Sequence, residues 1–163
     1  MTVVERTRWS LAERKADELT QGYSAPPIPI IEIAETNGVD VVFADFGAHS
    51  QKVAGFCDFN AAKLYVNKSD IYERQMFTIA HEFGHWVLHR DYFLNHPEQY
   101  PILPRFQSVD KNNSMEQEAN KFAACLLVPE RLLKPVSKAP VSALASVFKV
   151  SKTMMEFRLK NVR

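Results

Sequence analysis

A long helical segment from about Asp70 to His89 restricts this chain more than any other part of it. Its apolar residues recur at the spacing of one helix, and no proline interrupts them. Within it stands the pentapeptide His81-Glu82-Phe83-Gly84-His85. Residues four apart lie one turn above each other on a helix, so the imidazoles of His81 and His85 can converge on one ion. The segment therefore predicts a metal site carried by a helix.

Zinc fits this spacing, and the residue between the histidines fits its chemistry. Glu82 cannot comfortably share the ion, but it can reach a metal-bound water and accept its proton. Zinc lowers the pKa of such a water towards ~7. Gly84 in mid-helix costs about 1 kcal/mol relative to alanine, which a close approach by backbone or substrate would compensate. The alternative interpretation is a chance pair of histidines on a surface or in a core.

A catalytic zinc requires a third protein ligand, and two nearby candidates are disfavoured. Asp91 lies ten residues after His81, but Leu88 stands where a glycine would be needed to turn the chain sharply. His89 is one turn beyond His85, about 6 Å along the axis, too far to share an ion about 2 Å from each nitrogen. We predict a capping or surface position for His89.

The third candidate lies on a separate helix, which Ser114 is expected to cap and which runs to about Leu127. We predict that Glu116 is the third metal ligand and that Asn120 hydrogen-bonds a ligand histidine. Glu118 points to a different side, so the two glutamates should not both bind the metal. One face of this helix combines a carboxylate, an amide and small residues, namely Glu116, Ala119, Asn120 and Ala123.

The rest of the pattern predicts an α+β fold. A helix capped by Ser10 runs to about Leu19, and a short helix from Ile30 ends at Asn37-Gly38. Three strands with turn residues between them then suggest an antiparallel meander. We expect a small antiparallel three-stranded sheet packed with three helical parts. These are the HExxH helix, which carries His81, Glu82 and His85, the second ligand-bearing helix and a C-terminal helical pair. The predicted strands are Val39 to Phe46, Lys52 to Phe59 and Lys63 to Asn67.

Two further segments complete the chain. The stretch from Asp91 to Asn113 is predicted to be a long linker whose aromatic residues either wall the metal site or anchor the linker. These aromatics are Tyr92, Phe93, Tyr100 and Phe106. We expect one domain with the metal site over residues 1–135 and a helix-turn-helix-like subdomain over 136–163, packed on the core. Its predicted core contacts are Val147, Phe148, Met154 and Phe157.

Composition excludes several classes of protein. The length of 163 residues and the 46% hydrophobic content fit one globular domain, with room for a small appendage. A net charge of +1 provides no global attraction to nucleic acid or to an anionic membrane. No signal peptide or membrane span is evident, so we expect a cytoplasmic protein with no membrane partner. Cys57 and Cys125 form no CxxC pair and are predicted to be buried free thiols.

Two stretches together resemble a known family, the ImmA/IrrE metallo-endopeptidases. They are RQMFTIAHEFGHWVLH, over residues 74–89, and EQEANKFAACLLVPE, over residues 116–130. By this resemblance His81, His85 and Glu116 match the zinc ligands, and Glu82 matches the catalytic glutamate. The choice of Glu116 over Glu118 rests on analogy with related enzymes. The resemblance makes residues 1–135 a zinc metallopeptidase domain.

The resemblance also implies a function in gene regulation, often on mobile elements. Members of this family relieve repression by cleaving a helix-turn-helix repressor. The expected partner is therefore a repressor or antitoxin encoded nearby. A rival hypothesis is a regulator that binds such a protein without cutting it, with a structural metal or none. Direct DNA binding by the C-terminal helices is not expected, because few basic residues lie at the start of the second helix.

Overall fold

The computed structural model describes residues 6–105 and 113–162, and these form an α+β fold. Seven α-helices and four strands lie within the described ranges. The helices are α1 (Trp9–Thr20), α2 (Ile30–Thr36), α3 (Tyr72–Asn95), α4 (Ser114–Leu127), α5 (Glu130–Leu133), α6 (Val141–Phe148) and α7 (Lys152–Val162). The strands are β1 (Asp40–Ala44), β2 (Val53–Asp58), β3 (Lys63–Asn67) and β4 (Leu103–Pro104).

The sheet is mixed, with strand order β1-β3-β2-β4. β1 pairs with β3 in parallel, whereas β2 is antiparallel to both β3 and β4. The predicted three-stranded antiparallel meander is therefore wrong in its pairing and its strand number. β2 runs antiparallel to β1, as in a meander, but the two strands are not neighbours, because β3 lies between them. Alternation of apolar residues predicts strands, but it does not specify which strand lies beside which.

The contact between α3 and α4 forms the centre of the molecule. Gly84 of α3 faces α4 so closely that an added Cβ would lie 3.0 Å from the Phe122 ring and 3.3 Å from the Ala119 backbone. Phe83 and Phe122 pack edge to face beside this point, with ring centroids 5.8 Å apart. The close approach predicted at Gly84 is therefore made by the neighbouring helix.

The N-terminal helix packs on α4 through two small residues. Ala12 and Ala16 are fully buried. The helix starts one residue before the predicted cap, with Arg8 at the N-cap position, and no side chain caps it. The predicted capping box at Ser10 is thus wrong, and the Arg8 side chain instead contacts Glu118 of α4.

Two boundaries around the linker differ from expectation. α3 continues to Asn95, so the first part of the predicted linker is helical. No proline lies between the start of α3 and Pro97, so none stops the helix at Asp91. α4 begins at Ser114 but is capped by Asn113, whose side chain accepts a hydrogen bond from the Glu116 N–H at 3.1 Å.

The C-terminal helices α6 and α7 contribute side chains to the same core as α3 and α4. Phe148 is buried and Met154 is half-buried, as predicted, but Val147 and Phe157 are exposed. Arg158 ties α7 to the end of α4, because its Nε donates to the Val128 carbonyl at 2.8 Å. The division of the chain at 135/136 stays a prediction.

Two expectations from composition can be compared with the structure. Cys57 and Cys125 are both buried and free, as predicted. Within the ranges given above, no helix has the length and apolarity needed to cross a bilayer.

Gly55 is expected to be required where β2 crosses α3. A Cβ added there would press on the Tyr65 backbone oxygen and the Thr78 methyl group, more closely than real Cβ atoms approach. Gly55→Ala should therefore lower the free energy of unfolding by about 1–3 kcal/mol. Gly22→Ala is the control, because nothing lies within 4 Å of its added Cβ. Equal urea midpoints for the two variants would contradict the assignment.

Candidate metal centre

Helices α3 and α4 bring two imidazoles and one carboxylate together. Glu116 Oε1 lies 2.8 Å from His85 Nε2, and Glu116 Oε2 lies 3.1 Å from His81 Nε2. Candidate ligand atoms of the three residues lie within 4.8 Å of one another, as a shared ion requires. The three predicted ligands thus converge, and they form a group that could hold a metal. Their role as ligands stays a prediction.

The orientation of His81 fits a metal at its Nε2 atom. Its Nδ1 lies 2.8 Å from Asn120 Oδ1, which is the hydrogen bond predicted from the sequence. With the amide oxygen accepting, Nδ1 carries the proton and Nε2 presents its lone pair. His81 Nε2 has no hydrogen-bond partner among the described residues, since its 3.1 Å contact with Glu116 lacks hydrogen-bond geometry. A buried acceptor beside a carboxylate oxygen suits a cation.

His85 is held through His89, which sequence reasoning placed at the surface. The two Nδ1 atoms lie 2.8 Å apart, and His89 is only 2% exposed. The described group that could hold a metal does not include His89, and its exclusion as a ligand stays a prediction. The prediction of a capping or surface position was wrong, because α3 continues past His89 and keeps its imidazole against α4. Burial lowers the pKa of His89, which favours the neutral ring.

Glu118 and Asp91 both lie outside the group. The Glu118 carboxylate accepts from His89 Nε2 at 2.8 Å and from the Arg8 guanidinium at 2.8 and 3.1 Å. It therefore lies on a different side from Glu116, as predicted. Asp91 is on the exposed face of α3. Neither belongs to the described group that could hold a metal.

Glu82 is fully buried and is held by a tyrosine from the linker. The Tyr100 hydroxyl donates to Glu82 Oε2 and accepts from the Cys57 backbone N–H of β2. Glu82 Oε1 has no hydrogen-bond partner among the described residues. Tyr100 thus fixes one oxygen of the carboxylate, and the other oxygen can still accept a hydrogen bond.

Tyr100 is a residue of the candidate site that the sequence did not single out. It was one of four linker aromatics, and no spacing pattern connects it to the histidines. Its ring packs on Phe93 and Phe59 with centroids 5.2 Å away, so it both faces the site and anchors the linker. Phe93 belongs to α3, Tyr92 is exposed, and Phe106 lies outside the described residues.

Burial and neighbouring charges shift the pKa values of these groups in opposite directions. Burial raises the pKa of Glu82 to about 8, although His81 and Tyr100 oppose the shift. Burial lowers the pKa of His85 to about 4, so its ring stays neutral. Burial disfavours the charged form of Glu116, but the adjacent His81 and His85 hold its pKa well below the ordinary range. The group therefore combines two ring nitrogens with an ionised carboxylate.

A solved structure supports the fold assignment. A protein described as a Mycobacterium tuberculosis transcriptional regulator matches with a TM-score of 0.64 and 19% sequence identity. The match covers 92% of this chain and 54% of that protein, so the chain spans about half its length. At this identity the likeness shows a shared fold. Comparison with curated protein sequences gave no significant match.

A family model identifies the sequence more directly. The model of Peptidase_M78, described as the IrrE N-terminal-like domain, matches residues 34–160. This range is most of the chain and includes both helices of the candidate metal centre. The chain belongs to the Peptidase_M78 family of metal-dependent peptidases, as its resemblance to ImmA/IrrE proteins predicted.

Proposed function

We propose that this chain is a zinc-dependent endopeptidase that cleaves a helix-turn-helix repressor or antitoxin and so relieves repression. The observation that carries the proposal is the convergence of His81, His85 and Glu116 beside the buried carboxylate of Glu82. Two imidazoles and one carboxylate are a ligand set of hydrolytic zinc enzymes, in which one coordination position stays open. The likeness to a transcriptional regulator is consistent with a regulatory setting.

His81, His85 and Glu116 would hold the zinc ion. When bound, zinc supplies a Lewis acid that polarises a carbonyl and makes coordinated water more acidic. The chain orients the ligands for this ion from outside: Asn120 fixes His81 and His89 contacts His85. Outer contacts of this kind set the tautomer and direction of a ligating imidazole.

Glu82 acts as the general base and then as the general acid. Its unpartnered Oε1 accepts the proton of the attacking water, and the same carboxyl returns that proton to the leaving amide nitrogen. A pKa of about 8, raised by burial, suits a group that both takes and gives a proton near neutral pH. Tyr100 holds the other oxygen, so the carboxylate keeps its direction throughout.

Glu82 is buried, so a peptide can reach it only when neighbouring side chains move. His81, Glu82 and His85 are fully buried, whereas the Glu116 side chain is 15% exposed. The partly exposed Glu116 side chain therefore marks the side from which a peptide approaches.

Replacement of Glu82 tests the reaction directly. Glu82→Gln should retain stoichiometric zinc and lower cleavage of the repressor encoded by the neighbouring gene by about 10²–10⁴-fold, because the base is lost. Glu35→Gln on the exposed face of α2 is the matched control and should cleave normally. Cleavage is followed by electrophoresis and mass spectrometry.

Two results would contradict the proposal. Full cleavage by zinc-loaded Glu82→Gln would remove Glu82 from the mechanism. Stable binding of the repressor by wild-type protein without any cleavage would instead favour the non-cleaving regulator.

Replacement of Tyr100 tests how Glu82 is held. The Tyr100 hydrogen bond favours the ionised form of Glu82, so Tyr100→Phe should raise the pKa of Glu82. Because the ionised form is the base, the acidic limb of the kcat/KM profile should move to higher pH, by roughly one unit. A profile unchanged in position would contradict this role of Tyr100.

Metal binding should release protons and depend on Glu116. Burial lowers the pKa of His81, but its contacts with Glu116 and Glu82 outweigh burial and raise it, so protons compete with the metal at this ring. Titration calorimetry with Zn²⁺ at pH 7, in buffers of different ionisation enthalpy, should report proton release. Glu116→Ala should abolish tight binding. Unchanged affinity in that variant would remove Glu116 from the ligand set.

A further inference from the structure

We infer that Arg8, Glu118 and His89 form a positioning relay that holds His85 in the tautomer that binds metal. The inference rests on the proposed zinc function and adds residues outside the HExxH motif and outside the group of metal ligands. The relay runs from the segment before α1, through α4, to the C-terminal half of α3.

The contacts of the relay are continuous, and its members other than Arg8 are buried. The Arg8 backbone N–H donates to Glu118 Oε2 at 2.8 Å, and its guanidinium donates to both carboxylate oxygens. Glu118 Oε1 lies 2.8 Å from His89 Nε2, and His89 Nδ1 lies 2.8 Å from His85 Nδ1. Glu118 and His89 are each 2% exposed, and His85 is fully buried.

The direction of the hydrogen bonds follows from the chemistry of the groups. An ionised carboxylate only accepts, so His89 Nε2 carries the proton that Glu118 receives. A neutral imidazole with a proton on Nε2 has an acceptor at Nδ1. His85 Nδ1 must then be the donor in the contact between the two rings. This arrangement leaves the lone pair of His85 on Nε2, the atom that lies 2.8 Å from Glu116.

Both candidate ligand histidines are therefore oriented from α4, but by different routes. Asn120 contacts His81 Nδ1 directly, whereas Glu118 reaches His85 Nδ1 only through His89. The second route begins at Arg8, so correct docking of the N-terminal segment becomes part of the metal site. Thr7 adds a hydrogen bond to Gln117 beside this contact.

The test compares two replacements of His89 that differ in hydrogen bonding. His89→Gln retains an acceptor for His85 and a donor for Glu118, whereas His89→Phe fills the space and offers neither. We expect His89→Phe to lower Zn²⁺ affinity about 10–100-fold in competition with a chelator, and His89→Gln to restore most of it. The visible absorption bands of the Co²⁺-substituted protein should change in His89→Phe and resemble wild type in His89→Gln.

Arg8 supplies a second test in a variant that is expected to fold, because its side chain is 47% exposed. Arg8→Met should weaken metal binding, whereas Arg14→Met on the exposed face of α1 carries the same charge change and should not. Equal affinities for these two variants would place the start of the relay at Glu118 and overturn the part assigned to Arg8.

The outcomes separate the relay from the proposed function. Wild-type affinity and spectra in His89→Phe would overturn the relay and leave the peptidase proposal intact. Equal losses in His89→Phe and His89→Gln would show a role in packing, and would also overturn it. Thermal unfolding of the chelated proteins identifies any variant that merely fails to fold. A wild-type chain that takes up no metal would overturn both proposals together.

Discussion

The close packing of α3 against α4 is the interaction on which the rest of the structure depends. Gly84 has no side chain and Ala119 has only a methyl group, so the two backbones approach until an added Cβ would crowd the opposite helix. At this separation one carboxylate from α4 reaches both imidazoles of α3. A larger residue at Gly84 would move the helices apart and break contacts of about 3 Å, although the hydrophobic core could still form.

The same interface has to keep several charged groups away from water. Burial of a carboxylate is costly unless it is hydrogen-bonded or paired. Glu118 meets this requirement through Arg8 and His89, whereas Glu116 lies beside the Nε2 atoms of His81 and His85, where the proposed ion would pair with it. Among the described side chains of the metal centre, His81 Nε2 and Glu82 Oε1 are buried without a hydrogen-bond partner, and they belong to the proposed ligand and the proposed base. These two atoms are thus the ones proposed to bind the ion and to accept the proton.

Local signals predicted the helices well and the sheet poorly. The central part of α3, the end of α4 before Pro129 and the left-handed residue Gly38 after α2 follow from periodicity, proline and capping rules, whereas the cap of α4 is Asn113 and not the predicted Ser114. The predicted strand order was wrong, since β3 lies between β1 and β2. Strand pairing depends on contacts between distant segments, which local patterns do not encode. β4 was not predicted because two residues are too few to establish an alternating pattern.

Within the site, the sequence predicted the contacts that helix spacing determines and missed those that depend on distant segments. The spacing of His81 and His85 and the hydrogen bond of Asn120 could be predicted, because helix geometry converts spacing into direction. His89 was misplaced since periodicity specifies a helix face but does not identify the residue that covers it. Tyr100 was not singled out because its contact with Glu82 joins two segments whose relative position no local pattern encodes.

The sequence by itself determined the chemistry available to this protein: two histidines one turn apart, a carboxylate between them, and a glutamate on a second helix of the same family pattern. Tertiary structure decided how those groups are used. It selected Glu116 rather than Glu118 to face the histidine pair, directed Glu118 to His89 and Arg8, and brought Tyr100 onto Glu82. The physical reason is that side-chain direction along one helix is set by its 3.6-residue repeat, whereas partners across helices are set by how closely the helices pack.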